Sequence, residues 1–89
     1  MLRTAWSQIT AALAQILNKD YAAAKSTLNG VANKDAYTSY LLAIVAARTN
    51  DAAGVNTNLK DAVSKDSSLK SRAVKDLEFA EYKSAVESL

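Results

Sequence analysis

Few side chains in this sequence could carry out chemistry. The 89 residues contain no His and no Cys, so the usual general base, the commonest metal ligand and a thiolate nucleophile are all missing. Of the nine carboxylates, only Asp76, Glu78 and Glu81 lie close together in the sequence. They could hold a cation or act as an acid–base pair. The interpretation that the pattern favours is the capped, solvated first turn of a helix, where acidic residues suit the helix dipole.

Other catalytic patterns are isolated or missing. A Ser-x-x-Lys motif occurs at residues 67–70, but none of the partner motifs of the serine enzymes that use it accompanies it. There is no Gly-rich loop that could cradle a phosphate. The sequence therefore predicts a protein that is not an enzyme, with no catalytic residue, no cofactor and no metal.

The charge pattern gives no sign of a nucleic-acid partner. The net charge is +2, and basic and acidic residues alternate along the chain. Nucleic-acid binders usually gather Lys and Arg on one face. The one basic concentration, Lys70, Arg72 and Lys75, is followed at once by acidic residues, which is typical of a solvated helix face.

The elements that position the side chains of this protein are predicted to be helices. Ala, the best helix former, is the most frequent residue, Pro is absent, and no stretch alternates in the manner of a β-strand. The densest apolar run, from Tyr40 to Ala47, belongs to a helix predicted over residues 37–48. It is too short to span a bilayer, which needs about 20 apolar residues, so we predict no membrane insertion and a helix with neighbours on several sides.

Apolar spacing and capping residues divide the rest of the chain into further helices. The predicted helices cover residues 2–17, 21–28, 37–48, a stretch after Asp51, 69–75 and a last helix after Asp76. Asp20, Asp51 and Asp76 are predicted N-caps, the central helix is capped by Asn33 or Asp35, and Gly30 is expected to end the second helix in the left-handed conformation. The apolar residues expected to point inward from the two terminal helices are Leu2, Ala5, Trp6, Ile9, Ala12, Leu13, Ile16 and Leu17, and Leu77, Phe79, Ala80, Tyr82, Val86 and Leu89.

A long helix, a short break and a shorter helix follow one another twice, and the second set repeats the first after 31 residues. Residues 19–24 align with residues 50–55, Leu28 aligns with Leu59, and Ala12 aligns with Ala43. A helix–turn–helix period in the thirties is typical of an α-solenoid, whereas chance similarity between Ala-rich helices is the alternative.

On these residues the chain resembles a tetratricopeptide repeat (TPR) domain. The resemblance covers about residues 4–82, with Lys19 and Asn50 standing where the family often has glycine in the turn between helices. Residues 75–80 look like the capping helix of bacterial, Bacteroidetes-like TPR tails. The resemblance implies an all-α, TPR-like superhelix of about two and a half repeats with a C-terminal cap. It forms a single domain over residues 1–89, with units at about 4–34, 35–66 and 67–89.

The resemblance also implies a function. The first helix of each TPR unit lines a concave groove, so the predicted protein-binding residues are Trp6, Tyr37, Tyr40, Arg48, Arg72 and Lys75. Aromatic anchors beside positive charge favour an acidic-aromatic or acidic-aliphatic segment of a protein or peptide partner. Two alternatives stay open: the aromatic residues pack in or beside the core, or the chain is a structural spacer or terminal piece of a longer repeat array. Such a chain could come from an exported bacterial protein of the cell envelope, and its localisation is otherwise open.

Overall fold

All regular structure in the described residues is helical. The computed structural model describes the backbone of residues 2–89 and the side chains of residues 7–89. Its elements, in chain order, are α1 (Leu2–Leu17), α2 (Tyr21–Asn29), α3 (Ala36–Arg48), α4 (Ala52–Lys65), α5 (Leu69–Lys75), a 3₁₀ segment (Leu77–Tyr82) and α6 (Lys83–Glu87). No strand occurs over residues 2–89, which confirms the predicted all-α class.

The turns between α1 and α2 and between α3 and α4 share one backbone geometry. Lys19 and Asn50 both lie in the left-handed region, with φ of 62° and 59°. In each turn the next residue donates its backbone N–H to a carbonyl five residues back, Asp20 to Gln15 and Asp51 to Ala46, both at 2.8 Å. Both residues therefore adopt the conformation that glycine adopts most readily.

Aspartates begin most of the helices, as predicted. The Oδ1 atom of Asp51 accepts a hydrogen bond from the Gly54 N–H at 3.0 Å, and Asp20 caps α2 through Ala23 at 3.4 Å. Of the two candidates for α3, Asp35 is the cap, since its Oδ1 accepts from the Thr38 N–H at 2.8 Å. These bonds satisfy backbone donors that the first turn of a helix leaves unpaired.

Helix α3 lies between two apolar clusters. One joins it to α1 and α2 and contains Ile9, Ala12, Ile16, Ala24, Leu28, Leu41, Leu42 and Val45. The other joins it to α4, α5 and the C-terminal elements and contains Tyr40, Ala43, Ala46, Val55, Leu59, Ala62, Leu69, Ala73, Phe79 and Val86. Ile44 packs against both clusters. The predicted multi-sided burial of the central helix is thereby confirmed.

Small residues allow α3 and α4 to pack closely. Ala43 is fully buried, as is Ala12 in α1. Gly54 in the first turn of α4 faces Ala46 so closely that a Cβ built on it would lie 3.0 Å from the Cβ of Ala46. That separation is tighter than nine in ten Cβ contacts in proteins, and the same Cβ would come still closer to the side chain of the capping Asp51, so glycine suits both the helix contact and the cap.

The C-terminal region corrects the prediction of one helix after Asp76. Asp76 is extended (φ −80°, ψ 122°) and caps a 3₁₀ segment, and Phe79 within that segment is not helical (φ −109°, ψ 17°). The changed path buries Phe79 but leaves Leu77 88% exposed and Ala80 exposed, so both of these residues were wrongly predicted to face the core. The cause is tertiary, because the segment packs against α3.

Two further sequence predictions are wrong. Gly30 has φ of −77°, in the right-handed region, because α2 simply runs on to a turn in which the Gly30 N–H still bonds helix carbonyls. Leu17 is 84% exposed although it continues the apolar spacing of α1, since α1 ends at this residue and the chain turns away.

Candidate functional site

Helix α3 leaves mainly one strip of its surface accessible. Eight of its thirteen residues are buried. Tyr37 is 38% exposed, Ile44 is half-buried and Arg48 is exposed. These three residues lie on one side of the helix, because separations of 7 and 11 residues correspond to nearly whole numbers of α-helical turns. We call them the outer strip, and it runs between the two apolar clusters.

Tyr40, predicted as a groove anchor, lies in the core instead. Its side chain is 1% exposed, and its ring meets Phe79 edge-on with 5.5 Å between the ring centroids. The Tyr40 hydroxyl donates to Asp76 Oδ2 at 2.6 Å. Burial and this carboxylate raise the pKa of the Tyr40 phenol well above its ordinary value, so it remains a donor at neutral pH. The physical reason for the correction is that the 3₁₀ segment covers this flank of α3.

Arg48 joins three elements at the C-terminal end of the outer strip. Its Nε and Nη2 bind the two carboxylate oxygens of Glu78 at 2.9 and 2.5 Å. Its Nη1 donates to the Tyr21 hydroxyl at 3.1 Å, and its guanidinium carbon lies 5.9 Å from the centroid of the Tyr21 ring. Hydrogen bonds to Glu78 and Tyr21 raise the pKa of Arg48 above its ordinary value. The predicted binding cation is therefore already engaged within the chain.

The remaining predicted residues are dispersed. The Arg72 guanidinium of α5 lies 5.3 Å from the centroid of the Tyr40 ring, on the flank that the 3₁₀ segment also covers. Lys75, in the last turn of α5, is exposed. Trp6 lies outside the residues whose side chains are described. The structure thus places Tyr37 and Arg48 on the outer strip. Tyr40 and Arg72 lie beside the C-terminal segment, which Arg48 also contacts.

The sequence analysis did not predict a polar link between α3 and α4. Ser39, which is 2% exposed, donates to Asp61 Oδ2 at 2.5 Å, and Lys65 Nζ lies 2.9 Å from the same oxygen. The Ser39 hydroxyl and the Lys65 ammonium lower the pKa of Asp61, so this carboxylate is a poor general base and Ser39 is not activated as a nucleophile. No local signal predicts a pair that lies 22 residues apart in different helices.

The acidic cluster serves the fold in the structure. Asp76 binds the Tyr40 hydroxyl and the Glu78 N–H, and Glu78 binds Arg48. Over residues 7–89, where side chains are described, no three His, Cys, Asp or Glu side chains are placed to hold a metal ion. Two of the three acids therefore act as hydrogen-bond partners of α3.

A shallow concavity adjoins the end of the outer strip. It has a volume of about 340 Å³ and is bordered by Arg48 and Asn50 on one side and by Leu77, Glu78 and Tyr82 on the other. The 88% exposed Leu77 gives it an apolar rim. The concavity is open to solvent and is not an enclosed cavity.

Helices of the described chain, residues 2–89, are all too short or too polar to cross a lipid bilayer. No protein-family model, no curated protein and no solved structure matches the chain, so its function must be argued from the geometry above.

Proposed function

We propose that this protein is a non-catalytic, TPR-like scaffold that binds a protein or peptide through the face presented by α1 and α3. The observation that carries the proposal is the outer strip. Tyr37, Ile44 and Arg48 stay accessible on a helix whose other sides are largely buried. Aromatic and arginine side chains are enriched among the residues that dominate binding at interfaces.

The turn geometry supports the repeat part of the proposal. The α1–α2 and α3–α4 turns match at the same 31-residue offset as the sequence, including the left-handed residue and the capping aspartate. Two helix pairs built in this way form two units of a stack, and α5 begins a partial third. The proposal also includes the source that the resemblance implies. This chain would then be the C-terminal portion of a longer repeat array in an exported bacterial protein.

The side chains with nucleophilic or basic character support binding over catalysis. Ser39 is buried and donates to Asp61, whose basicity is lowered. Asp35 is likewise engaged, since the backbone N–H and the hydroxyl of Thr38 lower its pKa. Each of these groups joins parts of the fold, and none faces the outer strip.

A structural spacer is the second candidate, and one observation favours it. Tyr40 and Arg48 would be strong anchors for a partner, yet both are satisfied by Asp76 and Glu78 of the same chain. If the C-terminal segment does no more than close the end of the stack, the chain is the terminal piece of a repeat array with no ligand of its own.

Partner capture with matched variants distinguishes the two candidates. Extracts of bacterial envelope proteins are passed over the wild type, Tyr37→Ala and Asn56→Ala, where Asn56 is an exposed residue of α4 away from the outer strip. All three must first show equal helicity by circular dichroism. We expect a specific partner on the wild type and on Asn56→Ala, with roughly tenfold less on Tyr37→Ala, the size of a loss at a moderate hot spot. Equal capture by Tyr37→Ala, or none by the wild type, supports the spacer.

A further inference from the structure

Residues 76–79, Asp-Leu-Glu-Phe, occupy one flank of α3 in the manner of a bound peptide; we call them the acidic–aromatic tract. Three of its four side chains bind α3 and the fourth, Leu77, points to solvent. Asp76 accepts from the Tyr40 hydroxyl at 2.6 Å, and Phe79 packs edge-on against the Tyr40 ring. Two turns further along α3, Glu78 makes a bidentate pair with Arg48.

The surface beneath this tract is complementary to it in charge and shape. Tyr40 and Arg48 offer hydrogen-bond donors spaced for two carboxylates, and the Arg72 guanidinium adds positive charge beside the Tyr40 ring. Bidentate arginine–carboxylate pairs fix geometry as well as charge, so the surface is complementary to a segment with the order acid, any residue, acid, aromatic.

The tract is attached in a conformation that its own sequence does not favour. The capping Asp76 predicts a helix boundary, but with no Gly or Pro after residue 54 nothing in the sequence predicts that the stretch after Asp76 divides into a 3₁₀ segment and α6. The 3₁₀ path and the non-helical Phe79 occur where this segment packs against α3. The Arg48–Glu78 side chains are 36% and 28% exposed, so water can solvate both groups when this ion pair separates. The ion pair at Glu78 is therefore the part of the attachment most open to exchange, whereas Asp76 is bonded to the buried Tyr40.

We propose that the surface formed by Tyr40, Arg48 and Arg72 is a recognition site for acidic–aromatic segments of a partner protein, and that the tract fills it as a built-in competitor. The proposal rests on the proposed function and names its ligand class: a segment of the form Asp-x-Glu-aromatic. A competing segment within the chain raises the apparent dissociation constant, which equals the intrinsic constant divided by the fraction of molecules in which the site is uncovered.

The test uses a fluorescent peptide with the sequence of residues 75–82, Lys-Asp-Leu-Glu-Phe-Ala-Glu-Tyr, and the full chain. In an opened variant, Asp76→Asn with Glu78→Gln, the internal tract loses its charged contacts while Phe79 keeps the core filled. The control, Glu81→Gln with Glu87→Gln, removes the same charge from exposed residues. We expect the opened variant to bind the peptide on the order of tenfold more tightly than the wild type, and the control to match the wild type.

A third variant separates specific recognition from a general loosening of the C-terminus. Tyr40→Phe keeps the ring but removes the donor to Asp76. In the wild-type background, Tyr40→Phe weakens the binding of the internal tract and of the peptide alike, so the apparent affinity for the peptide should hardly change. In the opened variant only the peptide still has its aspartate, so Tyr40→Phe should weaken binding about tenfold. Little effect in that background overturns the proposal.

Folding of each variant is checked by circular dichroism. Should the opened variant be unfolded, Glu78→Gln alone alters only the half-exposed ion pair, and we expect its affinity for the peptide to rise by up to about fivefold. Equal affinity in the wild type, the control and the folded segment variants overturns the proposal. If no variant binds the peptide while Tyr37-dependent capture of a partner persists, this inference fails and the proposed function stands.

Discussion

The fully buried Ala43 shows how a single methyl group sets the distance between helices. Replacing it with Leu adds volume where α3 has neighbours on several sides, and we expect a loss of about 1–3 kcal/mol in the free energy of unfolding. Urea unfolding followed by circular dichroism measures this loss. Ala53→Leu, on the exposed side of α4, is the matched control and should change stability by less than about 0.5 kcal/mol. Equal effects of the two substitutions would contradict a close contact at Ala43.

The hydrogen bond from Ser39 to Asp61 makes part of the stability depend on pH. Ser39→Ala should lower the free energy of unfolding by about 1 kcal/mol at pH 7, because water can re-solvate the partly exposed Asp61. The folded-state pKa of Asp61 is lowered, so its contribution is complete above the ordinary aspartate value of about 3.9 and is lost as the pH falls through the lower folded value. The difference between wild type and Ser39→Ala should therefore shrink below about pH 4.

Unfolding curves at pH 7, 5 and 3 measure this pH dependence. Ser71→Ala, an exposed serine of α5, is the control and should show no such dependence. A difference between the wild type and Ser39→Ala that stays constant from pH 7 to pH 3 would show that the hydroxyl stabilises the fold by some route other than the Asp61 carboxylate.

Whether a residue is buried could be predicted where its neighbours in the helix decide it, and not where a distant segment covers it. The burial of Ala12, Ala43, Val55 and Leu59 follows from helical spacing, which is a local property. The burial of Tyr40 does not, because its cover comes from a segment 36 residues away. A sequence shows that a helix is apolar on several sides but not which distant segment fills each side.

The two matching turns show what a left-handed residue contributes to an element boundary. Lys19 and Asn50 have positive φ, which is unfavourable for lysine and better tolerated by asparagine. Lys19→Gly should therefore raise the free energy of unfolding by up to about 1 kcal/mol, and Asn50→Gly by less. Lys25→Gly, within α2, should instead lower it by about 1 kcal/mol. Denaturant titration of the three variants measures these values, and a loss of stability in Lys19→Gly would contradict the positive φ.

Most helix boundaries could be predicted because their signals are local. Asp20, Asp51 and Asp35 act on N–H groups three residues ahead, and the apolar period is read within one helix. The C-terminal region could not be predicted in the same way. The boundary at Asp76 has a local capping signal, but the spacing after it predicts one helix. Contact with Tyr40 and Arg48 accounts for the different path, which buries Phe79 and exposes Leu77.

At the scale of the whole molecule, α3 makes one cooperative unit out of two apolar clusters. The radius of gyration is 12.2 Å, close to the roughly 12 Å of a compact domain of this length. Backbone amides in the middle of α3 should therefore exchange with solvent only through global unfolding, whereas those of the 3₁₀ segment should exchange faster. Hydrogen exchange followed by mass spectrometry or NMR tests this order. Protection of residues 77–82 equal to that of residues 40–47 would contradict it.

The sequential packing of the helices has a consequence for folding speed. α1 packs on α2, α2 on α3 and α3 on α4, so most contacts form between neighbours in the chain. Topologies rich in local contacts fold in microseconds to milliseconds, and with no proline in the sequence no slow isomerisation step delays them. The hydrogen bond between Tyr40 and Asp76 closes a much longer loop, 36 residues, at a higher entropic cost. During synthesis the first four helices can therefore assemble before the acidic–aromatic tract leaves the ribosome, and for that interval the flank of α3 is open.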